Sequence, residues 1–514
     1  MPPEIMRRIA LYAIDNGVPG PPKEFYSLIL TCKALHRLLA TGPGDFYYRM
    51  FTQKFDERSP LRRLGKRALK EQAGSELRRR FNALKRIRQS CLDDTSLTET
   101  LWIAYTMVED VSQINRQQLL WARLPIFLDE YVRNRLYEGS EAFGGWPLLN
   151  ERNSLAIALL WLCNDKSVVE DESEASCDAM LRLLQPYVFA AFRYPMFNAS
   201  SQLDKAVEIS SKKHSHTTHG PYPPDSLPPS EITYLGSIPR KARVPLISLF
   251  SSLLYFTRVE RVAPTIPPHL ETAPCRTRTE AALLGQKGPT VEDVIDFVDN
   301  CNTRFLYLDN QDKLRHNVPS FALSQDRSYT LGLLTGRWQG SFILPFIDDY
   351  QSWLKASSIP SNFKTTGRQP LFVTLHEHYT CDRAPILPYD HEGMNTWLTS
   401  GYQWSEKEDG IEVFDNQGKY LASYKTYHPE GWEERKVADI IVTGKTDDQH
   451  AAAWGGYSII GRIRDQMDGC GTTVMQGYVD VSQNFVGRLK GASCGIAPAG
   501  WEGVFVLCRA SVAE

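Results

Sequence analysis

The sequence predicts an α+β chain of several domains, an all-α first half followed by an antiparallel β-barrel. Three observations carry this. Apolar residues recur at helical spacing through most of the first 325 positions, with one interruption at 198–230 rich in Ser, His and Pro. From about Tyr329 the pattern changes to short β-branched and aromatic runs bounded by Gly, Asn and Asp. At 514 residues the chain also exceeds what a single core supports. Its 42% hydrophobic and 23% charged residues are those of an ordinary folded protein, and a formal net charge of -2 gives no global attraction to nucleic acid or acidic lipid.

In residues 1–45, Ile5, Ile9, Tyr12 and Ala13 lie on one helix face with Arg7 and Arg8 on the other. "NGVPGPP" stops that helix; Phe25, Leu28, Ile29, Cys32, Leu35 and Leu39 resume the spacing before a second break at "TGPGD". The helical region 46–197 contains "SELRRRFNALKRIR", with Ser75 as expected N-cap and Leu77, Phe81, Leu84 and Ile87 as its apolar stripe. It continues with "LTETLWIAYTMVEDV", "RQQLLWARLPIFLDEYVRNRLY" and "SLAIALLWLC". The segment 198–230 reads as a mobile polar loop, and 231–325 as a helical continuation in which Thr290 and Asp293 form a capping box. Residues 326–514 hold about eight or nine strand runs, which suggest an antiparallel barrel or sandwich; a closed barrel would leave no exposed edges.

Glu4, Arg7 and Arg8 interrupt the apolar run that a signal peptide needs, and no stretch reaches the about 18 apolar residues of a membrane span. The ten cysteines include no C-x-x-C and no dense cluster, so neither a zinc ribbon nor a disulfide framework is expected. Together these features predict an intracellular protein, cytoplasmic or nuclear, with no membrane partner.

No catalytic set stands out. "GASCG" (491–495) fits G-x-S-x-G around Ser493, but "IAPAGWEG" cannot begin the helix a nucleophile elbow requires, and no His follows Ser493. A serine hydrolase is therefore the weakest reading. His376 and His378 in "HEH" share one strand face without a third ligand at an informative spacing, and His214, His216 and His219 lie in the polar loop. No metal or cofactor is implied. Between Arg58 and Arg88 there are twelve Lys or Arg and two acidic residues, a local patch able to meet an anionic partner or a nuclear import receptor, or simply a solvated helix face.

Residues 1–45 resemble an F-box. "MPPEI" supplies Pro2, Glu4 and Ile5, the first helix adds Ile9, and "LILTCKALHRLL" supplies Leu28, Leu30, Cys32, Lys33 and Leu35. Met1 replaces the usual Leu, and the Trp often found after the Cys pair is absent. The resemblance implies a helical module docking on the Skp adaptor, and through it a cullin, with the remaining chain selecting a protein for ubiquitination. Gly336-Arg337-Trp338 in "LTGRWQGSF" resembles the Gly-x-Trp signature of lipocalin-like barrels, in which an Arg of the last strand packs over the Trp; Arg509 stands at the corresponding place. The organisation is similar to fungal-type F-box proteins and to the cyclin D-binding type, which carries such a barrel for substrate. A lipocalin-like protein holding a small apolar ligand is the alternative the same residues allow.

Overall fold

The computed structural model describes residues 2–196, 227–302, 329–381, 402–466, 472–474, 477–479, 484–492 and 500–510, with brief interruptions inside the longer ranges. The chain is mixed α+β, with helices first and an antiparallel sheet last. Helices α1 (Pro3–Ile14), α2 (Lys23–Thr31), α3 (Lys33–Ala40) and α4 (Gly44–Lys54) lead into the long α5 (Arg58–Arg88). There follow α6 (Leu97–Glu109), α7 (Gln113–Trp121), α8 (Leu124–Arg135), α9 (Glu151–Leu162), α10 (Lys166–Asp171) and α11 (Glu174–Phe189). After strands β1 (Ser230–Tyr234) and β2 (Ile238–Ala242) come α12 (Ile247–Val259), α13 (Pro268–Thr272), α14 (Arg278–Leu284) and α15 (Val291–Asn300).

Where a helix lies in the fold follows from its pattern. "SLAIALLWLC" has no polar face because α9 is central: Asn153 to Trp161 are all buried, and the Asn150 side chain caps the helix by accepting from the Asn153 N–H. Helix α12 is likewise buried from Ile247 to Arg258. The capping box at Thr290 and Asp293 is present.

Three expectations in this half are corrected. Ser75 does not start a helix: α5 begins at Arg58, interrupted only at Gly65, and the Ser75 hydroxyl donates to the Gln72 carbonyl. The apolar stripe continues upstream through the buried Leu69 and Ala73, and no residue near Ser75 breaks it. The single helix read over 116–137 is two, because Arg123 adopts a left-handed conformation (φ 61°) just before Pro125. The 231–325 segment opens with a hairpin: Ile232 and Tyr234 point inward, Glu231 and Thr233 outward, and Leu235 and Gly236 turn the chain at positive φ. Most of 198–230, with His214, His216 and His219, lies outside the described residues, as do 303–328 and Ser493.

Among the described residues the second half forms one antiparallel sheet of eleven strands with two short helices set into it. In chain order these are β3 (Gly336–Ile343), α16 (Ile347–Lys355), β4 (Gln369–Thr380), β5 (Tyr402–Lys407), β6 (Gly410–Asp415), β7 (Tyr420–Thr426) and β8 (Asp439–Thr446). Then come α17 (Asp448–Trp454), β9 (Ser458–Gln466), β10 (Thr472–Val474), β11 (Gly477–Val479), β12 (Asn484–Ala492) and β13 (Gly500–Arg509). The main path runs β10-β9-β8-β4-β3-β13-β12-β11, and the meander β5-β6-β7 joins β4 through β7. Closure into a barrel would pair β10 with β11, and no such pairing falls among the described residues.

One face of the sheet buries Trp338, Phe342, Leu371, Val373, Leu375, Ile440, Val442, Ile463, Phe505 and Leu507 against one another. The opposite face is covered twice. On β3 and β13, Ile343, Val504 and Val506 belong to the same core as the helices. On β8, Ile441 packs under the meander with Ile411, Val413, Ala422 and Tyr424. Helices and sheet therefore share one continuous core across the boundary that the sequence placed near residue 326.

Candidate functional site

The N-terminal helices carry the clearest surface feature. Ala10 and Ile14 of α1, Phe25 of α2 and Leu39 of α3 are buried and hold the three helices to the body. The stripe that gives α1 its periodicity faces the other way: Ile5 is 49% exposed, Ile9 43% and Tyr12 72%. On α2, Leu30 is 79% exposed and Tyr26 43%. Isolated exposed apolar residues are ordinary, but five on two adjacent helices make a patch. Pro2, Glu4, Cys32 and Lys33 are exposed beside it, and Leu28 and Leu35 are half-buried. Cys32 is extended (φ -156°, ψ 160°) and divides the expected single helix into α2 and α3.

This module is fixed to the body through its α1–α2 loop. The Gly20 N–H donates to Gln118 Oε1 (2.7 Å), Gln118 Nε2 donates to the Lys54 carbonyl (3.0 Å), and Lys54 Nζ donates to the Val18 carbonyl (2.9 Å). Gly20 has φ +96°, and a Cβ there would lie 2.5 Å from the Trp121 indole, so the ring rests on bare backbone. Arg88 covers that ring at 4.5 Å. The Tyr47 hydroxyl donates to the Leu39 carbonyl at the end of α3.

Part of the basic segment is turned inward. Arg80 is fully buried between Glu76 (2.7 Å) and Asp110 (3.0 Å), Arg63 also reaches Asp110 (2.7 Å), and Glu76 accepts from the Gly236 N–H of the hairpin. Burial pushes the Asp110 carboxyl up despite Arg80 and Arg63; at Glu76 the opposing pull of Arg80 and Arg79 outweighs burial and holds the carboxyl low. Arg67, Lys70, Arg79 and Arg86 also pair with carboxylates. Arg58, Arg62, Lys66, Arg78 and Lys85 remain exposed.

Trp338 and Arg509 stand directly opposite each other on β3 and β13. They act on the strap 329–335 that precedes β3. Trp338 Nε1 donates to the Leu334 carbonyl (2.7 Å), and the Arg509 guanidinium donates to the Thr335 carbonyl and lies beside Gly336. Glu377, fully buried on β4, accepts from Tyr329 Oη, from the Leu334 and Thr335 N–H groups and from Thr335 Oγ1. The strap's backbone groups at Leu334 and Thr335 are thus all satisfied by three strands. Sequence reading missed Glu377, which was legible only as the middle of "HEH" with its side chain opposite the two histidines.

His376 is exposed and His378 buried, so the two share a strand face without sharing an environment. His378 bonds Thr426 Oγ1 (3.0 Å) and Thr443 Oγ1 (2.8 Å) under the meander, and burial, aided by His376, lowers its pKa to about 4. Among the described residues no group of His, Cys, Asp and Glu could hold a metal ion, and no helix is long and apolar enough to cross a membrane. Compared with the known protein families, the curated proteins and the solved structures, the chain matches none.

Proposed function

We propose that this chain is a substrate receptor of a Skp–cullin–F-box ubiquitin ligase, docking the Skp adaptor through α1–α3 and presenting a protein substrate from its sheet half. The observation that carries the reading is the exposed Ile5, Ile9, Tyr12, Tyr26 and Leu30 patch on helices whose other faces are locked to the body. Helix-in-groove association needs such a face, with each large apolar side chain contributing about 1.5–3 kcal/mol when buried. Pro2, Glu4, Cys32 and Lys33 line the same module, in the pattern of the F-box resemblance. The receptor contributes position; transfer is left to the recruited conjugating enzyme.

In this reading the sheet closes as a lipocalin-like barrel whose strap end is sealed by Glu377, Trp338 and Arg509, and the protein works inside the cell. A small apolar ligand is the second reading, since the sheet's inner face is apolar. The edge contacts of Phe485 with Trp338 and with Phe505 fill part of that face, which favours protein recognition over a lumen. Capture by purified Skp adaptor is the test. Binding by the full chain, lost on deletion of residues 2–40, supports the reading; undiminished capture of the deleted chain overturns it.

A further inference from the structure

A half-buried arginine between the two halves lies outside the adaptor-docking helices. Arg488 lies on β12 opposite Val504, on the face of the sheet that packs against the helices. Its Nη1 donates to the Tyr194 carbonyl (3.0 Å), and its Nη2 reaches the carbonyls of Tyr187 (3.3 Å) and Val188 (3.4 Å). Tyr187 and Val188 are in the last turn of α11, where carbonyls have no helical donor and the helix dipole favours a cation. Tyr194 also accepts from Ser248 of α12, so one planar guanidinium ties the sheet to two helices. Buried Glu502, on the same face of β13, supplies opposite charge. A half-buried cation is a poor source of net stability, but its planar fork of donors is directional and holds the three carbonyls in register with the strand.

We infer that Arg488 is a positioning residue: it fixes the orientation of the substrate-side sheet relative to the adaptor-side helices, and so which lysines come within reach of the conjugating enzyme. The inference rests on the receptor reading. The ring contacts that cross the interface, Trp146 with Trp353 (5.2 Å) and Phe189 with Phe363 (5.5 Å), are apolar burial, which is non-directional; the hydrogen-bonding fork of the guanidinium is directional.

The test compares the full chain with Arg488→Met and Arg488→Lys. In the free chain, amide exchange over 187–194 should rise at least tenfold in Arg488→Met, with the exchange of α9 unchanged. Equal exchange overturns the pin whatever the function. In the reconstituted ligase the chain's own lysines serve as acceptors and conjugated sites are read by mass spectrometry. Arg488→Met should capture adaptor as well as wild type yet shift the relative occupancy of sheet lysines such as Lys407, Lys425 and Lys445 by threefold or more. Arg488→Lys, which keeps the cation and can reach one carbonyl, should restore part of the pattern. An unchanged pattern with normal adaptor capture overturns the positioning role alone, whereas no capture by wild type overturns the receptor reading.

Discussion

Replacing Gly20 by alanine tests how the N-terminal module is held. The residue has φ +96°, where an L side chain costs about 1 kcal/mol or more. The new Cβ would meet Trp121 at 2.5 and 2.6 Å, on a ring that Arg88 also covers. Lifting the loop to relieve the contact breaks the bond from the Gly20 N–H to Gln118 and leaves a buried amide oxygen without it, about 1–3 kcal/mol. The sum is about 2–4 kcal/mol. Gly17→Ala is the internal control: its φ is +66° but nothing lies within 4 Å of the added Cβ, so only the conformational cost of about 1 kcal/mol applies. Urea unfolding of the full chain, with amide exchange over 17–25, separates global from local loss. Adding Trp121→Ala should recover the steric part in a double-mutant cycle. If Gly20→Ala matched Gly17→Ala within about 0.5 kcal/mol, the clamp would be wrong.

Three further outcomes follow from buried polar groups. Because His378 has a folded pKa of about 4 against 6.5 unfolded, the unfolded state takes up the proton first. Its stabilising contribution is complete above about pH 6.5 and falls by about 3 kcal/mol as pH drops to about 4; His378→Gln should flatten that slope in acid unfolding, and an unaltered slope contradicts the assignment. Arg80→Ala leaves Glu76 and Asp110 buried without their shared guanidinium and should cost about 3–5 kcal/mol in chemical unfolding, far more than Arg62→Ala on the exposed side. Glu377→Ala removes the acceptor of four donors, so exchange at Leu334 and Thr335 should accelerate by about a hundredfold or more while β9 is unaffected; equal exchange would show that the strap is held by something else.

The helical-then-strand order was legible because periodicity reports which face is buried, and α9 and β4 are long and regular enough to show it. The β1–β2 hairpin was not, since Leu235 at φ 47° is a turn residue that composition does not announce. Strand β5 escaped because "YQWSEK" is short and polar and, among the described residues, pairs with no strand but β6. The stripe of α1 was read correctly as apolar, but periodicity cannot say whether such a stripe meets the protein's own core or solvent; Ala10 and Ile14, the smaller set, turned out to face inward. The basic run misled in the opposite sense. Charge counts treat Arg80 and Lys85 alike, although one is wholly buried and the other exposed.

The measurement nearest the central claim is calorimetric titration of purified Skp adaptor into the full chain and its Leu30→Asp variant. Leu30 is 79% exposed, so the variant should melt within about 1 °C of wild type while losing an apolar anchor and placing a carboxylate in the contact. Adaptor docking through α1–α3 predicts saturable binding by wild type, weakened about a hundredfold or more by Leu30→Asp; no binding by wild type, or equal affinity for both, would contradict it.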